Sequence, residues 1–173
     1  MKRLFVFIAF AFCLHSALKA EQPTICGDWI NVSKYEEIIG EDNYGNYEYA
    51  IRYMKTIMRI KLVDGHYTIR TKSFSTHKPE DVSYGLECTI TNANNDSISW
   101  TTEKRNANWY KDSGERGGYF DADGFLTAVL INGTLKVSGY SISTYYNKSG
   151  HVIDDKKKFI YPEQTYYKED LDW

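Results

Sequence analysis

The stretch TIMRIKLVDGHYTIRT, residues 56–71, decides the fold of this 173-residue chain. Asp64-Gly65 supplies the positive φ angles of a two-residue type I′ turn, and alternating residues flank it on both sides. The turn predicts an apolar face with the pairs Leu62–Tyr67, Ile60–Ile69 and Met58–Thr71. On the opposite face it predicts the pairs Val63–His66, Lys61–Thr68 and Arg59–Arg70. A hairpin with one apolar and one polar face is typical of an antiparallel sheet that covers a core.

The rest of the chain repeats this design. Asn132-Gly133 is a second type I′ signal, which pairs Leu130 with Leu135 and Ala128 with Val137. A three-residue loop at 93–95 would place Ile90 opposite Ile98 and Cys88 opposite Trp100. No segment has a helical apolar period. We therefore predict an all-β, antiparallel up-and-down barrel of about 8–10 strands, lipocalin-like in form, with a β-sandwich as the alternative.

Three places interrupt the alternation. Inward residues change from odd to even positions near Lys55-Thr56, which predicts a bulge, a bend or a break between two strands. Gly139 favours a bulge that would turn Tyr140, Ile142 and Tyr146 inward. Residues 103–118 are polar and contain three glycines and Trp109, so we expect a long loop there.

The amino terminus predicts an exported protein. Lys2 and Arg3 precede an apolar run, and small residues follow it up to Ala20. This is the pattern of a signal peptide over residues 1–20, cleaved after Ala20. The alternative is an amino-terminal membrane anchor, for which the apolar run is too short. We expect a secreted or periplasmic protein whose residues 21–173 form a single barrel domain.

Charge argues against a nucleic-acid partner. Removal of residues 1–20 leaves 18 Lys plus Arg against 23 Asp plus Glu, a net charge of −5. Nucleic-acid affinity depends on cations that neutralise phosphates, and the mature chain has no long basic run. We expect neither a nucleic-acid partner nor stable membrane insertion.

Two cysteines, Cys26 and Cys88, remain in the mature chain. In an oxidising compartment, a lone pair of cysteines is most simply one disulfide. Two buried thiols are the alternative, because sequence alone does not give the distance between them.

Gly27-Asp28-Trp29 lies on the first strand of the mature chain. This resembles the Gly-x-Trp signature of the lipocalin-like (calycin) barrels, and the resemblance extends loosely over the mature length. It implies that Trp29 is a structural plug at the closed end of the barrel, covered by a basic residue from the last strand. Arginine is absent after Arg116, so a lysine such as Lys158 or Lys168 would have that role.

Patterns that carry catalytic chemistry are missing from the sequence. His66, His77 and His151 lack metal-ligand spacing, and there is no nucleophile elbow or Cys–His pair. We therefore expect no enzyme activity, no metal and no cofactor. Arg59, Lys61 and Arg70 cluster on the polar face of the hairpin; either a neighbouring strand supplies an acidic residue or the cluster binds an anionic partner.

The apolar and aromatic residues suggest a ligand cavity. A barrel with an open mouth binds a small hydrophobic or amphipathic molecule through a mainly apolar lining. The predicted lining residues are Tyr49, Tyr53, Met58, Ile60, Tyr67, Ile69, Trp100 and Tyr140. The alternative is a protein-interaction, inhibitor or carbohydrate-binding module that uses exposed aromatic residues, Trp109 and the 103–118 loop.

Overall fold

A computed structural model describes residues 23–111 and 113–170. The predicted signal peptide lies outside these residues. In the described part of the chain, no helix is long and apolar enough to cross a membrane. Nine strands are present there: β1 (Gly27–Glu41), β2 (Tyr47–Val63), β3 (His66–Ser75), β4 (Lys78–Tyr84), β5 (Cys88–Ala93), β6 (Ser97–Tyr110), β7 (Arg116–Ile131), β8 (Thr134–Asn147) and β9 (Val152–Lys168).

The nine strands form one strongly curled half-barrel sheet, which is consistent with an up-and-down barrel. Their spatial order is β4-β3-β2-β1-β9-β8-β7-β6-β5, and every ladder is antiparallel. The first and last strands meet through two pairs, Trp29 with Lys168 and Ile30 with Tyr167. Beyond these pairs, β1 and β9 separate, and the sheet opens into two leaves, one of β1–β4 and one of β5–β9. The predicted all-β up-and-down architecture is thus confirmed.

Strands β4 and β5 are separated by only three residues and resemble one strand that bends between them. β4 pairs with the end of β3, whereas β5 pairs with β6. Between them the chain continues beside β3, because the Gly85 N–H donates to the Thr71 carbonyl at 2.9 Å. The Cys88 thiol then lies 3.8 Å from the Ile69 carbonyl. This leaves a seam between β3 and β5, where the described residues contain no ladder.

The core fills one end of the curled sheet, which we call the base. Its largest fully buried side chains are Trp29, Ile25, Ile60, Ile98 and Leu135. The segment before β1 crosses this end, and the Ile25 N–H donates to the Asn95 carbonyl in the β5–β6 turn at 3.0 Å. The base is therefore closed by the chain as well as by side chains.

Both predicted type I′ hairpins are confirmed. Asp64 and Gly65 have φ angles of 50° and 79°, and Asn132 and Gly133 have 50° and 76°. All six pairs predicted for residues 58–71 occur in the β2–β3 ladder. Leu130 and Ala128 face Leu135 and Val137 as predicted.

The β5–β6 register differs from the prediction. Ile90 faces Trp100 instead of Ile98, and Cys88 faces Thr102 instead of Trp100. The Asn94 side chain accepts hydrogen bonds from the N–H groups of residues 96 and 97. These bonds place the turn further along the chain than the predicted loop at 93–95. A bulge between Ile90 and Asn92 then shifts the ladder.

The long loop predicted at 103–118 is also wrong. β6 runs on to Tyr110 and β7 starts at Arg116. A bulge in β6 between Lys104 and Ala107 accommodates the polar residues. Asn106 has a φ of 53° there, and its N–H donates to Asp121 at 2.9 Å. A local side-chain acceptor thus keeps a polar segment in the sheet.

Candidate functional site

The concave face of the sheet holds a cavity of about 330 Å³ above the base, which we call the lower cavity. Its floor and walls are mainly apolar, and hydroxyl groups and one amide line the remainder. Its lining comprises Met58, Ile69, Leu86, Cys88, Trp100, Leu126, Val137, Tyr161, Pro162 and Tyr166, with Thr56, Thr71, Thr102, Ser138 and Gln164. An apolar cavity with a few polar groups suits a small, largely hydrophobic ligand.

The structure brings three of the predicted lining residues together. Met58, Ile69 and Trp100 lie in the wall of the lower cavity, on β2, β3 and β6. Ile60 lies one inward position below Met58 and is fully buried in the core. Tyr67 packs against the same core at the β3–β5 seam, and its hydroxyl donates to the Asn94 carbonyl at 3.2 Å.

Tyr49 and Tyr53 do not line the cavity. They lie on the convex face and are 58% and 49% exposed. The predicted interruption near Lys55-Thr56 is absent, because β2 pairs with β1 without a shift from Ile60 back to Tyr49. Even-numbered residues therefore face inward along all of β2, and the odd-numbered aromatic residues face outward.

Tyr140 likewise lies on the convex face. Its ring stacks on Phe125, with 5.0 Å between the ring centroids, and Lys158 lies over it at 4.2 Å. A bulge does occur beside Gly139, but the extra residue belongs to β9, so β8 keeps its alternation. Ser141 and Ser143 thus face inward in place of Tyr140, Ile142 and Tyr146.

A second, more polar cavity of about 410 Å³ continues along the concave face, and we call it the upper cavity. It shares Leu86, Thr102 and Tyr161 with the lower cavity. The Tyr161 hydroxyl donates to the buried Ser141 hydroxyl at 2.9 Å. Its other lining residues are Lys104, Phe120, Ala122, Gly124, Ser143, Tyr145 and Phe159.

Trp29 anchors the base beneath these cavities. It is 1% exposed, and its indole N–H donates to the Ile25 carbonyl at 2.9 Å. The Lys168 ammonium lies over the indole at 5.6 Å from the ring centroid. Lys158 lies over Tyr140 instead. Of the two lysines that the sequence offered, the structure therefore places Lys168 over Trp29.

Trp109 is packed between strands. Its indole N–H donates to the Tyr146 carbonyl at 3.0 Å, and its ring meets Tyr145 edge-on. A Cβ added at Gly117 would lie within 2.1 Å of the Trp109 ring, so this glycine makes room for the indole. The half-buried ring thus has a packing role in the sheet.

The arginine cluster has an acidic neighbour. Arg59 makes two hydrogen bonds of 2.5 Å to the Asp28 carboxylate, which faces it on β1. Asp28 is buried. The bidentate contact neutralises the charge of Arg59. Arg59 and Arg70 can therefore face each other across β2 and β3.

Cys26 and Cys88 are both free thiols, so the predicted disulfide is wrong for this structure. The Cys26 thiol bonds to the Leu62 backbone, whereas the Cys88 thiol donates to the Ile69 carbonyl. Burial raises the pKa of both thiols.

The sequence analysis did not assign four lining residues to a cavity: Leu126, Val137, Tyr166 and Ser143. Leu126 and Val137 follow from the Asn132-Gly133 hairpin, because they extend the inward alternation that it defines. Tyr166 and Ser143 depend on the β8–β9 register, which no turn motif signals.

Comparison of the chain with protein-family models, with curated proteins and with solved structures finds no match.

Proposed function

We propose that this protein binds a small hydrophobic or amphipathic molecule in the lower cavity and acts as a carrier or scavenger without catalysis. The observation that carries this proposal is the apolar wall formed by Met58, Ile69 and Trp100 around a volume of about 330 Å³. That volume lies near the lower end of the range for small-molecule sites, roughly 300–1,000 Å³. The site suits a compact ligand or one end of a longer ligand.

The proposal includes export and a lipocalin-like character. The signal-peptide pattern of residues 1–20 supports a secreted or periplasmic location. The Gly27-Asp28-Trp29 motif supports the lipocalin-like resemblance, and so does the arrangement of Trp29 beneath Lys168 at a closed base.

A cavity-filling variant tests ligand binding directly. Ile69→Trp places a larger side chain in the wall of the lower cavity, whereas Ile51→Trp changes an exposed position on the convex face. Titration with a neutral hydrophobic fluorophore should give saturable binding to the native protein and to Ile51→Trp, and at least tenfold weaker binding to Ile69→Trp.

Thermal unfolding of the two variants serves as the folding control. Saturable binding that Ile69→Trp leaves unchanged would place the ligand elsewhere, and the absence of binding to the native protein would refute the proposal. The alternative, a protein- or glycan-interaction module, predicts that the native protein does not bind the fluorophore.

A further inference from the structure

The upper cavity provides polar groups that would select a more specific ligand. The polar groups of the upper cavity lie on strands β6–β9. The lower cavity beside them is mainly apolar, so the polar groups are concentrated at one end of the concave face. Thr102 and Tyr161 belong to both linings, so the two cavities adjoin on the concave face, and we call the pair the trough. A molecule lying along this trough would meet apolar side chains at one end and hydroxyl and ammonium groups at the other.

Lys104 supplies the positive charge at the polar end. It faces inward from β6, and its ammonium lies 5.4 Å from the centroid of the Phe120 ring. Among the described residues it makes no ion pair. The acidic residues beside it, Glu103 and Asp123, bond Arg105 instead. An anionic ligand group could therefore reach Lys104 without displacing a protein carboxylate.

Two buried serines supply hydroxyl groups at the same end. Ser141 and Ser143 are 5% and 3% exposed and face the upper cavity from β8. The Ser141 hydroxyl accepts from Tyr161, whereas the Ser143 side chain has no hydrogen-bond partner in the described part of the chain. The Ser143 hydroxyl is therefore open to the upper cavity, where it can donate a hydrogen bond to a ligand oxygen.

We propose that the trough binds a monocarboxylate amphiphile, with its hydrocarbon chain in the lower cavity and its carboxylate at Lys104 and Ser143. This inference rests on the proposed function and adds the chemical class and orientation of the ligand. Lys104 attracts the carboxylate, Ser143 donates a hydrogen bond to it, and Trp100 and Met58 contact the chain.

Dodecanoate and dodecanol test the proposal, because they share a chain and differ in the charge of the head group. Calorimetric titrations below their aggregation concentrations should give stronger binding of dodecanoate to the native protein. Lys104→Gln should weaken dodecanoate binding about tenfold, as loss of one charge-assisted hydrogen bond predicts, and leave dodecanol binding unchanged. Lys34→Gln, at an exposed position opposite Tyr53 on the convex face, is the matched control.

The salt dependence provides a second readout. Because Lys104 is exposed, added salt should weaken dodecanoate binding and leave dodecanol binding unaffected. Equal binding of both compounds, or unchanged dodecanoate binding to Lys104→Gln, would overturn the assignment of the head group. If Ile69→Trp still abolishes binding in that case, the proposed function stands. Binding of neither compound would overturn the proposed ligand class, whereas fluorophore binding that Ile69→Trp weakens would still support the proposed function.

Discussion

At the residue scale, Trp29 decides how the base is closed. Its indole bonds to a carbonyl before β1, lies under a lysine from β9 and belongs to the buried core. It therefore joins the amino-terminal segment to the last strand, at the place where two residue pairs close the sheet.

Trp29→Ala should lower the free energy of unfolding by about 3–5 kcal/mol, because it removes a large buried side chain and leaves a cavity. Trp109→Ala is a useful comparison, since Trp109 is half-buried and should cost less. Denaturant titration measures both values. A loss below about 1 kcal/mol for Trp29→Ala would contradict the plug role.

At the scale of the strands, Gly65 and Gly139 are required for different structural reasons. Gly65 has a φ of 79° in the β2–β3 turn, and an added Cβ would meet nothing within 4 Å. Gly139 lies in β8, where an added Cβ would be 2.2 Å from the Phe125 carbonyl oxygen of β7. The first position needs a backbone conformation, whereas the second needs space between paired strands.

Gly65→Ala should therefore cost about 1–2 kcal/mol of stability, the usual penalty for a left-handed alanine. Gly139→Ala should cost more, because β7 or β8 must move to relieve a clash with backbone. The difference between the two melting temperatures measures this. Equal losses would mean that the β7–β8 ladder has room at Gly139.

At the scale of the whole molecule, the seam between β3 and β5 keeps the two leaves distinct. Cys26 precedes β1, and Cys88 begins β5, which belongs to the other leaf. A disulfide between them would tie the leaves together beside the seam. The structure instead has two thiols that bond to different parts of the β2–β3 hairpin.

We expect both thiols to react slowly with iodoacetamide in the folded protein near pH 8. Burial raises the pKa of each thiol, so the folded state holds its protons more tightly than the unfolded state, and little thiolate is present. Above the ordinary thiol pKa, unfolding releases these protons, so the free energy of unfolding should fall as the pH rises. Intact-mass measurement should find two alkylation sites after unfolding without reductant; no alkylation would indicate a disulfide.

The sequence by itself determined the two type I′ hairpins, their registers and the all-β class. These depend on residues close in the chain, such as Asp64-Gly65 and Asn132-Gly133, whose turn geometry fixes which neighbours pair. Met58, Ile69 and Trp100 could be assigned to the cavity because short-range alternation defined their faces.

Only the tertiary structure decided where that alternation continues. Tyr49 and Tyr53 face outward because β1 holds β2 in one uninterrupted register, and Tyr140 does so because the bulge beside it belongs to β9. The upper cavity depends on the same partner strands. A strand's inward face follows from its own sequence only while the partner strands keep register, and a bulge in a distant partner leaves no local signal.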